Sequence, residues 1–346
     1  MKKTVLVASA AILLFGCKKD EPAPPSGSNS ASTSIVAGEG ALVACEGNFQ
    51  GGNAKVSYYK FSDGSVVTDL FSTANNRPLG DVCQSISFSN GLAYIVVNNS
   101  GKIEEVNPSS YVSQRIVNGF TSPRYMLQVA PGRAYVTDLY ANGVWIMNTV
   151  NNTISGMISV PGETEAMEPV NGEIFVTSPD RDQLYVINSV TNTITDSITV
   201  AKGGNSMVSD ANGKLWVLCY GDYFTSAPGG LYRIDPQTHT VEASWPFTTA
   251  ESPTRLCCNS TRDTLYYIDN DIYRMPVTNA ALPSTPFISA GTHSFYGLAV
   301  RPSDNELFVT DAVDYVQQGH LLRYTRQGVL TDDKQVGIIP GSIYFY

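Results

Sequence analysis

Aromatic, amide and guanidinium side chains recur in the segments between the apolar strands of this 346-residue chain. Rigid aromatic rings offer contact area at little entropic cost, and amide and guanidinium groups donate hydrogen bonds, so this combination suits a large, flat or polar ligand. The residues that we predict to bind such a ligand are Asn48, Phe49, Arg124, Tyr125, Tyr140, Tyr220, Tyr223, Phe224, Arg255, Tyr296 and Tyr315. For any single asparagine, the alternative is that its side chain only satisfies a turn.

Patterns for catalysis or metal binding are weaker. A lactonase-type hydrolase would hold a metal with carboxylates and amides, and Glu165, Asn205 and Asp311 are the candidates for that role. The three histidines are scattered, and the sequence contains no CxxC, no HExxH and no nucleophile elbow. We therefore expect a protein that is not an enzyme and that uses neither a metal nor a cofactor.

The strands that must position these loops repeat along the chain. An aromatic-centred strand recurs at steps of 41, 40, 41, 50 and 42 residues, around Tyr94, Tyr135, Phe175, Trp216, Tyr266 and Phe308. A second short apolar strand follows it, as in residues 144–147 and 184–187. Repeats of about 40 to 45 residues with four strands each are typical of propeller blades, so the sequence predicts an all-β propeller.

The repeat count and the chain ends predict seven blades. The aromatic strand gives six copies, and a seventh blade begins upstream at residues 41–44 and 56–59 without an innermost strand. Residues 338–345 have the pattern of that missing strand. We predict a seven-bladed β-propeller closed by the C-terminal strand, which removes exposed sheet edges. Loops between second and third strands should then share one channel rim with the blade-to-blade connections.

The composition favours one ordered domain and excludes nucleic acid as a partner. The net charge is −9 and the sequence contains no basic stripe. Charged residues make up only 15% and apolar residues 42%, which is typical of a chain that forms a core.

The N-terminal residues predict export and a lipid anchor. A basic pair precedes an apolar run at residues 4–15, which is too short to span a bilayer as a mature helix. Residues 14–17, Leu-Phe-Gly-Cys, resemble a bacterial lipobox, and residues 18–21, Lys-Lys-Asp-Glu, resemble the surface-export signal of Bacteroidetes lipoproteins. We predict a lipoprotein signal peptide over 1–16, a lipidated Cys17 with a flexible tether over 17–34, and the propeller over 35–346. The protein would be anchored in the outer membrane and face the exterior; an ordinary signal peptide is the alternative.

The other five cysteines are Cys45, Cys83, Cys219, Cys257 and Cys258. An odd number leaves at least one thiol unpaired in a monomer, although export permits disulfides. We interpret them as small buried packing residues, with disulfides between neighbouring blades as the alternative.

Four segments carry a family resemblance: EGNFQGGNAKVSYYKFSDG, TNTITDSITV, TDAVDYVQQGHLLRYTRQG and GIIPGSIYFY. They resemble YncE-like seven-bladed propellers, closest to the branch found in Bacteroidetes surface lipoproteins, and the resemblance runs from Leu42 to Tyr346. Some members of that branch capture corrinoids (vitamin B12 and its relatives) for a TonB-dependent outer-membrane transporter. The resemblance implies capture of a small molecule such as a corrinoid, but it fixes no binding residue. A protein- or glycan-binding surface module is the alternative, and a lactonase-type hydrolase is a third hypothesis.

We expect Cys17→Ala to abolish lipidation and membrane retention, because no other segment of the sequence is long and apolar enough to hold a bilayer. Fractionation of cells that express the variant checks this. Replacing Lys19, Asp20 and Glu21 by alanine should leave the anchor intact but remove protease accessibility on intact cells. Unchanged accessibility would show that these three residues are not an export signal.

Overall fold

The computed structural model describes residues 35–346; the signal peptide, the lipidated cysteine and the tether that the sequence predicts lie outside the described residues. The described chain contains β1 (Gly40–Cys45), β2 (Lys55–Lys60), β3 (Val66–Val67), α1 (Leu70–Asn75), β4 (Cys83–Ser89), β5 (Leu92–Val97), β6 (Lys102–Val106), β7 (Ser113–Asn118), β8 (Pro123–Ala130), β9 (Arg133–Asp138), β10 (Gly143–Asn148), β11 (Thr153–Ser159), β12 (Met167–Val170), β13 (Glu173–Thr177), β14 (Gln183–Asn188) and β15 (Thr193–Thr199). It continues with β16 (Gly204–Ser209), β17 (Leu215–Asp222), β18 (Ala227–Asp235), β19 (Thr240–Pro246), β20 (Thr254–Cys258), β21 (Thr264–Asp269), β22 (Asp271–Pro276), β23 (Phe295–Val300), β24 (Leu307–Asp311), β25 (Gln318–Tyr324), β26 (Leu330–Ile338) and β27 (Pro340–Phe345).

These strands form seven antiparallel sheets, which confirms the seven-bladed propeller. The first blade has the order β27-β1-β2-β3. The next blades follow the chain from β4-β5-β6-β7 to β23-β24-β25-β26, each with its innermost strand first. Within residues 35–346 no helix is long and apolar enough to cross a membrane.

Burial falls from the inner strands of each blade to the outer ones. The recurring aromatic strand is the second strand, and in β5 and β9 every residue after the first is buried. The outermost strand β15 alternates and is mostly exposed. A second strand is covered on both faces by the neighbouring blades, so it selects apolar side chains throughout, whereas an outer strand has a solvated face.

Pairing between the two ends of the described chain closes the ring. β27 pairs antiparallel with β1, with Tyr344 opposite Leu42 and Ile343 opposite Val43. All six residues of β1 are buried as a result. The prediction that the C-terminal strand completes the first blade is therefore confirmed.

The sixth blade departs from the four-stranded pattern. It contains β20, β21 and β22, and in place of an outermost strand it has an isolated bridge between Ile272 and Ile288. Pro283 and Pro286 lie just before that bridge. Proline cannot donate to a ladder, so this segment cannot form a regular fourth strand.

The five cysteines of the described chain are unpaired, which agrees with their interpretation as packing residues. Cys45, Cys83 and Cys219 are buried, and the other two are half-buried. Burial disfavours the thiolate and raises the pKa of Cys45 to about 11, with Cys219 raised to about 12.

Deleting residues 340–346 should open the ring and expose the inner edge of β1. We expect a loss of roughly 3–6 kcal/mol in the free energy of unfolding, the value for about two apolar side chains lost from the core, and a less cooperative thermal transition. The control is Tyr223→Ser with Phe224→Ser, since both side chains are almost fully exposed and their loss should change the melting temperature little. A deletion variant that melts like the parent would contradict the closure role of β27.

Candidate functional site

One face of the propeller, which we call the mouth face, carries two kinds of loop. Loops between second and third strands are hydrogen-bonded to the connections that enter each blade. Asn98 N donates to Val82 O at 2.8 Å, Leu139 N to Ser122 O at 3.0 Å, and similar bonds recur in other blades. The prediction that these loops share one rim is confirmed.

A β-bulge at the start of each innermost strand sets one residue per blade apart from the ladder. In the second blade, Cys83 and Ser85 pair with Val97 and Val96, and Gln84 between them has no partner. Register shifts or bulge-type hydrogen bonds occur at the same point of the other blades. We call the seven residues at this position the channel ring: Gln84, Arg124, Glu165, Asn205, Arg255, Tyr296 and Gly341. A bulge re-aims a side chain, and here it does so in six of the seven blades, since the seventh ring residue is Gly341.

Buried threonines of the second strands hold several bulges in place. Thr137 Oγ1 accepts from Tyr125 N at 3.1 Å, Thr177 Oγ1 from Ala166 N at 2.9 Å, and Thr310 Oγ1 from Gly297 N at 2.7 Å. Each of these amides belongs to the residue after a ring residue, where the extra residue interrupts the ladder. The threonine therefore satisfies an N–H group that the bulge would otherwise leave without a partner in the ladder.

The channel ring surrounds the entrance of a cavity of about 750 Å³. Five of the ring residues from the third to the seventh blade line it, and Gly341 of the first blade does so too. Apolar side chains from the innermost strands form much of the remaining wall: Ile86, Met126, Leu127, Met167, Met207, Leu256, Leu298 and Ile343. The cavity thus combines a polar ring with an apolar interior.

Arg124 is committed to its two ring neighbours. Its Nε and Nη2 atoms donate to the Glu165 carboxylate at 2.6 and 2.7 Å, and its Nη1 atom donates to Gln84 Oε1. Burial disfavours the charged guanidinium, but the adjacent Glu165 outweighs it and holds the pKa of Arg124 above its usual range. This side of the ring is therefore an internally neutralised, bidentate ion pair.

Arg255 differs from Arg124 because its guanidinium is largely uncommitted. Nε donates to Tyr296 O at 3.0 Å, and the guanidinium carbon lies 5.2 Å from the centre of the Tyr296 ring. Nη1 and Nη2 donate to no atom of residues 35–346. All seven ring residues lie in the described chain. Among them, Arg255 alone has a left-handed backbone, with φ at 61°. An arginine in that region costs about 1–2 kcal/mol, which the surrounding structure must offset.

Two further carboxylates lie near the ring. Burial raises the pKa of Glu46, although Arg255 opposes the shift, and Glu46 Oε1 accepts from the Tyr296 hydroxyl at 2.9 Å. Burial also raises the pKa of Glu163, which lines the cavity and whose carboxylate accepts no hydrogen bond from residues 35–346. Both groups therefore take up protons more readily than an exposed glutamate does.

The structure divides the eleven predicted ligand-binding residues into three sets. Those that line the cavity are Arg124, Tyr125, Tyr140, Tyr220, Arg255 and Tyr296. Asn48 and Tyr315 lie beside them on the mouth face, since Asn48 Nδ2 donates to Tyr315 O at 3.1 Å and the Tyr315 ring meets that of Tyr296 edge to face. Phe49, Tyr223 and Phe224 do not line the cavity and are 67%, 92% and 95% exposed.

The predicted ligand-binding set left out Gln84, Glu46 and Glu163, and it also left out Glu165 and Asn205, which were named as candidates for a metal site. A signal for the ring was present. Ring residues stand two positions before Ile86, Met126, Met167, Met207, Leu298 and Ile343, at the same period as the aromatic strand. In this chain, a residue at a fixed offset before a repeating apolar one, polar in every blade but the first, coincides with the bulge.

The set considered for a hydrolytic metal is not brought together. Glu165 and Asn205 line the cavity, but Asp311 accepts from Ser294 N at 2.8 Å and lies 2.7 Å from His293 Nδ1. In the part of the chain that the structure describes, no group of three His, Cys, Asp or Glu residues could hold a metal ion.

A family profile, described as a domain of unknown function (DUF5074), matches residues 39–330. The chain belongs to the DUF5074 family. No curated protein matches the sequence. Membership in DUF5074 bears neither on the YncE-like branch nor on corrinoid binding, and both stay predictions.

Several solved structures share the fold of this DUF5074 chain. A quinoprotein alcohol dehydrogenase-like protein from Bacteroides thetaiotaomicron is 14% identical with a TM-score of 0.69, covering 89% of this chain and 78% of its own. A Bacteroides fragilis protein provisionally named a 6-phosphogluconolactonase is 13% identical with a TM-score of 0.64, covering 92% and 99%. The virginiamycin B lyase of Staphylococcus aureus is 15% identical with a TM-score of 0.60, covering 75% and 87%. At these identities the likeness concerns the fold alone.

Thr177→Val should destabilise the protein by about 1–3 kcal/mol, because it keeps the volume of this buried side chain but leaves the half-buried Ala166 N–H group without its acceptor. Urea denaturation of the two proteins measures the difference. Thr199→Val is the matched control: Thr199 lies exposed on β15 of the same blade and should change stability by less than about 0.5 kcal/mol. Equal effects at the two positions would show that the threonine does not support the bulge.

Proposed function

We propose that this protein is a non-enzymatic, surface-exposed lipoprotein that captures a small molecule at the mouth of its propeller channel. The observation that carries the proposal is the cavity of about 750 Å³, in which a polar ring stands over an apolar interior. Cavities of roughly 300–1,000 Å³ with apolar walls and a few placed polar groups are typical of small-molecule sites.

The scaffold supports capture because the site is built on strands rather than on free loops. Each ring residue follows a blade-to-blade connection and begins an innermost strand, and the threonine contacts fix several of the bulges. Little ordering is then required of the protein when a ligand binds, which favours affinity.

A corrinoid is the specific ligand that we propose to test first. Its broad ring is apolar on its faces, which suits the aromatic groups Tyr125, Tyr140 and Tyr220 at the entrance. Its amide fringe needs hydrogen-bond partners, which Arg255 offers through Nη1 and Nη2. This finer proposal rests on the family resemblance in the sequence, and it includes transfer of the cargo to a TonB-dependent outer-membrane transporter.

The position of the first described residue is consistent with an anchored protein whose mouth faces the medium. Ile35 N donates to Ser109 O at 2.8 Å, and Ser109 lies in the turn between β6 and β7, on the face opposite the mouth.

A second candidate function is contact with a protein or a glycan at the rim. The hairpin of β17 and β18 is long, and the side chains of Tyr223 and Phe224 at its tip stand 92% and 95% exposed. Exposed aromatic side chains of this kind are typical of interaction surfaces. This observation favours a surface module independently of the cavity.

Titration calorimetry of the purified protein with cyanocobalamin tests capture, and we expect saturable binding. Ser342→Trp places a large ring in the cavity and should weaken that binding at least thirtyfold, about 2 kcal/mol. The control is Tyr223→Ala with Phe224→Ala, which lies outside the cavity and should change affinity less than about threefold.

If cyanocobalamin produces no heat of binding, a corrinoid is excluded as the ligand. Mass spectrometry of small molecules that co-purify with the parent, but not with the Ser342→Trp variant, would then test capture itself. If the Tyr223→Ala, Phe224→Ala variant loses binding while Ser342→Trp binds normally, the ligand binds at the rim and not in the cavity.

A further inference from the structure

The cavity contains two arginines that differ in how many of their donors are already used. Arg124 directs all three of its nitrogens at Glu165 and Gln84, so a ligand can gain little from it. Arg255 uses Nε alone, toward Tyr296 O. Among the residues of the described chain that line the cavity, Arg255 therefore carries the available positive charge.

The surroundings hold the Arg255 guanidinium in a fixed orientation. Its stem leaves a left-handed backbone at φ 61°, and its guanidinium carbon lies over the Tyr296 ring, 5.2 Å from the centre. That ring is itself held by the hydrogen bond from its hydroxyl to Glu46 Oε1 and by edge-to-face contact with Tyr315. A planar guanidinium with two free, pre-oriented donors matches the two oxygens of a carboxylate.

We infer that the ligand carries a carboxylate or comparable oxyanion that binds Nη1 and Nη2 of Arg255. Its apolar body then packs against Met207, Leu256 and Leu298. This inference rests on the proposed capture of a small molecule.

The apolar part of the ligand has a defined place relative to this anchor. Leu256 directly follows Arg255 in β20, while Met207 and Leu298 belong to the innermost strands of the two neighbouring blades. All three line the cavity. A carboxylate on Arg255 thus positions an attached chain or ring against apolar side chains of three successive blades, where burial adds affinity in proportion to apolar area.

Glu46 is the internal competitor of the ligand for Arg255. It is tied to the same tyrosine, and its charge acts on Arg255 without a hydrogen bond between the two side chains. Burial favours its protonated form, so an incoming anion meets a carboxyl group that can become neutral. Glu163 belongs to the connection into the fourth blade, next to Asp180 and Glu165, and not to the Arg255 side.

The test uses calorimetry of the full-length protein with a matched pair of probes, octanoate and octanamide, which share the chain and differ in charge. We expect octanoate to bind at least tenfold more tightly. Arg255→Gln should remove this preference, whereas Arg255→Lys should retain part of it. Glu46→Gln should tighten octanoate binding several-fold and leave octanamide unchanged.

Arg274→Gln is the matched control. Arg274 lies in β22 of the same blade and also stacks on an aromatic ring, at 4.1 Å from the centre of Phe287, but it does not line the cavity. It should leave both affinities unchanged. Because Arg255→Gln and Glu46→Gln shift octanoate affinity in opposite directions, general loss of folding cannot mimic the expected pattern, and melting temperatures of all variants verify this.

Equal binding of the two probes, an unchanged preference in Arg255→Gln, or no heat with octanoate at millimolar concentration would each overturn the anionic ligand class. The proposed capture function has a separate readout. The parent and Arg255→Gln could retain cyanocobalamin or another co-purifying molecule equally while Ser342→Trp loses it. That result would support capture in the cavity and contradict the role of Arg255.

Discussion

The structure depends on the pairing of β27 with β1, because a propeller has a channel only when its ring is closed. The C-terminal strand supplies the innermost layer of a blade whose other strands come from the start of the domain. Its residues are held from both sides: Thr310 Oγ1 of the seventh blade donates to Pro340 O at 2.5 Å, and Ile343 lies opposite Val43. Gly341, Ser342 and Ile343 are also part of the cavity wall. Closure thus removes an exposed sheet edge and completes the site in the same step.

The second constraint is the bulge that begins each innermost strand. A regular ladder would alternate side chains between the two faces of a blade, both of which are buried against neighbours. In six of the seven blades the extra residue lets a polar side chain face the channel without entering the core. In three blades a buried threonine pairs the amide that this arrangement frees. The scaffold thereby holds seven independently variable positions around one axis. Function can change by substitution in the ring while the fold persists, which fits the range of names carried by distant structures with this fold.

The charges of the ring are distributed unequally. Arg124 and Glu165 neutralise each other through two short hydrogen bonds that join the third and fourth blades, and the bond from Arg124 to Gln84 adds the second blade. Across the channel, Arg255 stacks on Tyr296 and leaves two donors open, with Glu46 as the nearby counter-charge. The Arg124–Glu165 pair stabilises the closed ring locally. Arg255, by contrast, remains in the cavity as a cation with hydrogen-bond donors that have no partner in the described chain. Groups of that kind are where binding energy is available, since a ligand then supplies the partner that the protein does not.

The sequence by itself determined the architecture, because the 40-residue repeat and the unpaired apolar segment at the C-terminus follow from strands that must be covered on both faces. It also determined that one face would gather Arg124, Tyr125, Arg255 and Tyr296, since strand order dictates which loops meet. Tertiary structure decided the rest. It decided that the guanidinium of Arg124 is paired with Glu165, a residue 41 positions away, whereas that of Arg255 has no carboxylate of the described chain hydrogen-bonded to it. It also decided that Phe49, Tyr223 and Phe224 stand outside the cavity, because loop length and tip conformation set the direction of an exposed ring. Residue types and their spacing reveal the repeat of the fold. Contacts between blades decide which hydrogen-bond donors remain unpaired, and the local sequence does not encode those contacts.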